Sequence, residues 1–161
     1  MASPARAQAN ARCFVCGQDN DRGLKLRFET QDGRSAFARW TPAAVCEGFD
    51  GIVHGGLVST VLDEAMSKAV AAAGVEALTA ELRVRFRLPV QSGCAYQIRG
   101  WIVRRGKRLV ETEAALLSLE GVEHAHAWAA FLAPSRHASS SSRLAAESAS
   151  STPSADSPSG R

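Results

Sequence analysis

The sequence predicts an α+β domain: an antiparallel sheet of about six strands packed on one long helix. Three observations predict it. A continuous apolar stripe of helical period runs from Gly55 to Ala73. On both sides of it, apolar and polar residues alternate with the period of a half-buried strand. Gly, Pro and Asp-Gly breakers then divide the alternating runs at hairpin spacing. Strands before and after a single helix can bury its stripe only by packing a sheet on it.

Of the 161 residues, 1–11 are polar and Ala-rich and carry no strand or core pattern. They are expected to remain unstructured. Cys13-Phe14-Val15-Cys16-Gly17 forms a knuckle, and Leu24, Leu26 and Phe28 alternate with Lys25 and Arg27 as a first strand. Gln31-Asp32-Gly33-Arg34 is a turn, after which Ser35 to Trp40 returns as a second strand. Pro42 to Val53 is a loop broken by Gly48 and Gly51.

The helix carries Leu57, Val58, Val61, Leu62, Ala65, Met66, Ala69, Val70 and Ala73 on one stripe, and Gly74 stops it. Beyond it Leu82, Val84, Phe86 and Leu88 alternate with Glu81, Arg83, Arg85 and Arg87 until Pro89. Tyr96 to Arg104 and Arg108 to Leu119 make two long strands around the tip Arg105-Gly106-Lys107. Glu120-Gly121 turns the chain into a last strand, His124 to Leu132. Its Ala125, Ala127 and Ala129 share one face, which would let a helix lie close. From Ser135 to Arg161, 11 of 27 residues are serine and the only large aliphatic is Leu144. Such a tail cannot offset the entropy of ordering it, so the folding unit is residues 12–134.

Several classes drop out. Nothing approaches the roughly 18 apolar residues of a membrane span. The N-terminus lacks the apolar core of a secretory signal, and a cytoplasmic location is expected. The net charge is +3, of which the tail holds +1, too little for a dedicated nucleic-acid binder. Without an export signal the four cysteines read as thiols.

The chemistry centres on Gly51-Ile52-Val53-His54-Gly55-Gly56-Leu57, followed by Leu62-Asp63-Glu64-Ala65-Met66. Gly55 and Gly56 stand where loop becomes helix. They leave N–H groups at the positive end of the helix dipole, suited to an oxyanion or a polarised carbonyl. They also serve simply as a tight helix entry. Asp63 lies about 125° from the centre of the apolar stripe, with Ser59 and Ser67 within about 40° of it. It reads either as a functional acid or as a surface acid near Lys68. Glu64 points about 100° further round, toward solvent.

The run Glu47 to Met66, with Cys13 to Phe28 and Leu82 to Pro89, resembles the PaaI-like branch of the hotdog acyl-CoA thioesterases, the phenylacetate-degradation type. The likeness spans residues 12–134. It implies the hotdog fold, a sheet of about six strands wrapped around one central helix. In this group a His-Gly-Gly precedes, by nine residues from the His, an acid on the central helix; His54 and Asp63 keep that spacing. The resemblance then implies that Asp63 is the catalytic nucleophile or general base, and that the Gly55 N–H polarises the thioester carbonyl. It implies that Ser67 orients the water or the carboxylate. His54, Gly56 and Ser59 are expected to contact substrate or position the loop. Related enzymes often place Asn or Gln fifteen residues before the acid. Here that residue is Gly48, and either Glu47 takes the role or the site works without an amide. The resemblance also implies a homodimer or homotetramer with the site between subunits, paired through Glu81 to Leu88.

Cys13 and Cys16 lack a second pair, and Cys46 or His54 would have to supply further ligands, so no metal and no cofactor is expected. Arg104, Arg105, Lys107 and Arg108 crowd one hairpin tip. They could grip the phosphates of coenzyme A, or be a solvated turn. His124 and His126 read as surface or interface residues beside Trp128. The expected activity is hydrolysis of an acyl- or aryl-CoA thioester. The alternatives are a non-catalytic acyl-CoA-binding module and a hotdog dehydratase or hydratase.

Overall fold

The computed structural model describes residues 10–134. The segments expected to be unstructured, 1–11 and 135–161, lie outside the described residues except for Asn10 and Ala11. Those two close the first turn: Cys13 N–H donates to the Asn10 carbonyl and Asp19 N–H to that of Ala11, each at 2.9 Å.

Eight strands and one long helix follow in the order β1 (Glu29–Gln31), β2 (Ser35–Trp40), β3 (Glu47–Phe49), β4 (Ile52–Val53), α1 (Gly55–Ala72), β5 (Leu78–Phe86), β6 (Tyr96–Arg105), β7 (Leu109–Ser118) and β8 (Glu123–Leu132). Six of them form one antiparallel sheet in the order β1-β2-β6-β7-β8-β5, and β3 and β4 make a separate small hairpin. This is the expected α+β architecture, a six-stranded antiparallel sheet with a single long helix.

The first strand is displaced from its expected place. Residues 24–28 keep their alternation but form no strand, and β1 is the three residues after them. The cause is local. Leu24 N–H donates to the Phe14 carbonyl and Leu26 N–H to that of Val15, at 2.7 and 2.8 Å. The segment is thus tied to the cysteine knuckle, and Lys25 sits at φ 53°. The loop expected over 42–53 also holds structure: a 3-10 turn at Ala44–Cys46 and the β3–β4 hairpin, which reverses at Asp50-Gly51 with Gly51 at φ 72°.

The helix buries Val58, Val61, Leu62, Ala65, Met66, Ala69 and Val70, the stripe its periodicity predicts. It lies on a row of small residues that crosses the sheet. Ala36 faces Gly100, Gly100 faces Ala114, and Ala114 faces Ala127 in direct register. Directly opposed residues share a face, and all four are buried. Ala125, Ala127 and Ala129 do turn inward, 0%, 0% and 7% exposed. The closest approach is nevertheless over β6, at Gly100, and not over β8. A Cβ built on Gly100 would stand 2.5 Å from the carbonyl of Ala65 and 2.7 Å from the Met66 nitrogen. Around this contact Ile98, Leu116 and Phe131 complete the core.

The run expected at Glu81–Leu88 is β5, shifted to Leu78–Phe86, and it is the edge of the sheet within the chain. It pairs with β8 alone, and its Leu78, Leu82 and Phe86 are exposed. No helix among the described residues is long and apolar enough to cross a membrane.

Candidate active site

The N-terminus of α1 is built by its first three residues. His54 is the N-cap, and its Nδ1 accepts the Gly56 N–H at 2.9 Å. Leu57 N–H donates to the His54 carbonyl at 2.9 Å. The Gly55 N–H has no acceptor among the described residues, one of the orphan donors that every helix start leaves. Gly55 also lies against Phe86, whose ring would be 3.3 Å from a Cβ there. These residues open onto a cleft of about 570 Å³, walled by Phe49, Ile52, Phe86, Leu88 and Pro89. A donor at the positive end of an 18-residue helix, facing an apolar cleft, suits a carbonyl that gains negative charge.

Asp63 is half-buried on the same helix, and the Thr79 hydroxyl donates to its Oδ1 at 2.8 Å. Burial raises its carboxyl above the ordinary aspartate value; the Thr79 bond opposes this and the Glu64 carboxylate adds to it. Asp63 and Gly55 do not meet within one chain. Eight residues of helix separate them by about 12 Å along the axis.

Glu47 and Gly48 sit on β3 beside the cap. Glu47 accepts a hydrogen bond from the Ser92 hydroxyl, which holds its carboxyl below the ordinary glutamate value, helped by the Gly51 N–H. Gly48 packs on the cap itself: a Cβ there would be 3.1 Å from both Cα and Cδ2 of His54. An amide side chain at 48 would push against the residue that caps the helix.

The serines differ. Ser59 donates back to the Gly55 carbonyl at 2.9 Å. Ser67 stands one helical turn beyond Asp63 and makes no hydrogen bond to another described residue. The basic hairpin tip is at the far end of α1. Arg104 pairs with Glu111 across the β6–β7 ladder, and Arg105 donates to the Ala73 carbonyl at 3.1 Å, closing the helix C-terminus. Lys107 and Arg108 are exposed. About 27 Å of helix lies between this tip and Gly55, so one chain does not bring them together.

Glu64 does not face solvent as its helical position suggests. The N-terminal knuckle covers it: Cys13 Sγ donates to Glu64 Oε2 at 3.7 Å, and Lys68 Nζ lies 3.3 Å from Oε1. Burial, reinforced by the Glu64 carboxylate, pushes the Cys16 thiol up to about 12. Cys46 is buried elsewhere in the core. His124 Nδ1 is 2.8 Å from the Pro89 carbonyl, and His126 lies between Glu113 and Glu123 at 3.2 and 3.1 Å.

Three contributors escape sequence reasoning. Thr79 reaches Asp63 from the start of β5, Ser92 reaches Glu47 from 45 residues away, and Phe86 roofs Gly55. Phe86 had a signal, since it belongs to the alternating run that forms β5. Thr79 and Ser92 have none, because only the fold brings them near.

The sequence profile of the thioesterase superfamily matches residues 50–125, from the β3–β4 turn through α1 to the start of β8. Several solved structures share the fold. One is a thioesterase superfamily protein with TM-score 0.72 and 22% identity, covering 74% of this chain. This chain spans 62% of that protein's length. A hypothetical thioesterase of Streptococcus pneumoniae, solved with coenzyme A, has TM-score 0.65 and 16% identity over 68% of this chain and 85% of its own. The Escherichia coli PaaI protein of the phenylacetic acid degradation operon has TM-score 0.64 and 17% identity over 68% of this chain and 83% of its own. No curated protein matches the chain. Profile and fold agree: the thioesterase-superfamily profile covers residues 50–125, and the chain has the hotdog fold of these solved structures.

Proposed function

We propose that the protein hydrolyses acyl- or aryl-CoA thioesters to a free acid and coenzyme A. The observation that carries this reading is the Gly55 N–H, left without a protein acceptor at the head of α1 while its neighbour Gly56 is bound by His54. It would accept the thioester oxygen as the carbonyl carbon turns tetrahedral. Asp63 supplies the second group. As general base it takes a proton from water, the hydroxyl oxygen bonds to the thioester carbon, and the C–S bond breaks. The proton then passes from Asp63 to the departing CoA thiolate. As nucleophile its Oδ forms a mixed anhydride, CoA leaves, and water cleaves the anhydride. The raised carboxyl of Asp63 suits proton transfer in the first route.

That Gly55 and Asp63 stand about 12 Å apart along one helix supports a reading in which the site forms between two chains. Gly55 of one chain would face Asp63 of its partner, in a homodimer or homotetramer. That the CoA-bound Streptococcus pneumoniae protein shares the fold supports the ligand class. The apolar walls of the cleft favour an apolar acyl or aryl group. Ser67, one turn from Asp63, would orient the water. Among the tip cations, Arg104 and Arg105 hold partners of their own, which leaves exposed Lys107, with Arg108 beside it, as the cation that would meet CoA phosphates.

A second reading, an acyl-CoA-binding module without turnover, is favoured by one observation. Gly48 is packed against His54 and leaves little room for a water-positioning amide. One experiment separates the two: free-thiol release from a panel of acyl-CoAs, wild type beside Asp63→Ala. Hydrolysis lost in the variant supports the enzyme. Equal rates in both remove Asp63 from the chemistry, and CoA binding without thiol release across the panel favours the module.

A further inference from the structure

The knuckle on the far side of α1 brings together groups that thioester hydrolysis does not use. Cys13 Sγ, Cys16 Sγ and a Glu64 carboxylate oxygen all lie within 4.8 Å of one another, half-buried. No second cysteine pair in the sequence completes such a site, but the fold supplies Glu64, 51 residues along the chain from Cys13.

We propose that Cys13, Cys16 and Glu64 bind a borderline-soft divalent cation of the zinc class, with water in the fourth position. Tetrahedral zinc, with bonds of about 2.3 Å to sulfur and 2.0–2.2 Å to oxygen, sets its ligand atoms about 3.5–3.8 Å apart. The Cys13 Sγ to Glu64 Oε2 distance is already 3.7 Å. The remaining separations need to close by about 1 Å at most.

The knuckle is prearranged for this. Gly17 N–H donates to the Cys13 carbonyl at 2.9 Å, which curls both thiols to one side. A side chain at 17 would collide at 2.5 Å with the backbone of Ala11 and Cys13. The bonds from Leu24 to Phe14 and from Leu26 to Val15 fix the turn to the next segment.

Glu64 divides its oxygens between the two sides. Oε2 faces the thiols and Oε1 is held by Lys68 Nζ at 3.3 Å, the outer hydrogen bond that orients a ligating carboxylate. The charges close as well. Without metal, two neutral thiols, one carboxylate and one ammonium sum to zero. Binding one divalent cation releases two protons, and two thiolates, the carboxylate, the ammonium and the metal again sum to zero. A half-buried site keeps its neutrality in both states, so the metal adds no uncompensated charge.

The test is anaerobic titration of the full chain, reduced and chelator-treated, with cobalt(II) as the optical probe. The expected result is one equivalent bound per chain, with thiolate-to-metal charge-transfer absorption that zinc(II) abolishes. Cys13→Ser and Cys16→Ser should lose that absorption, while Cys46→Ser and Cys94→Ser keep it. Glu64→Gln should bind on the order of 10-fold more weakly or worse. The proposal is overturned by wild type without the absorption, by its persistence in Cys16→Ser, or by a dithiol that only oxidises, losing two hydrogens in the intact mass while taking up no cobalt.

Discussion

Gly100 lies beneath the Ala65 peptide with no space between them for a methyl group, 2.5 Å from the Ala65 carbonyl to where a Cβ would stand. Backbone cannot retreat as a flexible side chain can, so helix and strand would have to part. Gly100→Ala is therefore expected to cost at least about 1–3 kcal/mol, the usual penalty of overpacking. Urea denaturation should show a lower midpoint at unchanged slope. An Ala114→Gly control removes a buried methyl from the same row and should leave the helix seated.

The cap at His54 gives a second expectation. Replacing it with Ala strips the acceptor from the Gly56 N–H and should cost about 0.5–2 kcal/mol. His54→Asn should recover most of this, because Asn is among the best N-caps. Chemical denaturation of the two variants beside wild type separates a capping role from a role of the imidazole in turnover, which Asn would not restore.

Asp63 carries an expectation for stability and, on the proposed function, one of opposite sign for activity. Its carboxyl is held above the ordinary value, so between the two values the native chain binds more protons than the unfolded one. Stability then falls as pH rises through that interval. Asp63→Asn cannot ionise, and its Oδ1 still accepts from Thr79. The variant should melt higher than wild type at pH 7, and the gap should close below about pH 4, where the unfolded Asp is protonated too. Its hydrolysis rate should drop by roughly 10²–10⁴-fold, the usual contribution of a general acid or base.

Glu47 has the opposite sign. The Ser92 hydroxyl and the Gly51 N–H hold its carboxyl below the ordinary value, so the bonded carboxylate favours the folded chain above that value. The contribution disappears as pH falls through the depressed one. Ser92→Ala should raise the Glu47 titration seen by carboxyl-detected NMR, and should lower the melting temperature at pH 7 more than at pH 3.

The sequence carried the helix from Gly55 to its stop at Gly74, and the two hairpins at Gly106 and Gly121, because these depend on local periodicity and turn chemistry. It also carried the inward alanines of β8. It did not carry the displacement of β1, since residues 24–28 alternate as a strand would, and only the bonds to Phe14 and Val15 divert them. Helical angle placed Glu64 toward solvent, because angle cannot say that a cysteine knuckle will fold over that face. The row Ala36, Gly100, Ala114, Ala127 became visible only once four strands were in register. Within the candidate site, the chain-local group His54, Gly55 and Gly56 was legible. Partners from afar, Thr79 and Ser92, were not.

The two borders of the sheet are unequal. β5 is a nine-residue edge whose alternate N–H and C=O groups point away from β8, with apolar side chains in the open, whereas β1 is an edge of three residues. A long free border invites another strand, and a short one gives such a strand almost nothing to hold. If two copies join along β5, each uses the same border, so the contact is isologous and its two-fold axis runs through the new seam. What remains outside is two three-residue borders, one at each end. In that arrangement the same asymmetry that leaves β5 open to association would also make the association finite, a closed pair along this seam and not an open fibre.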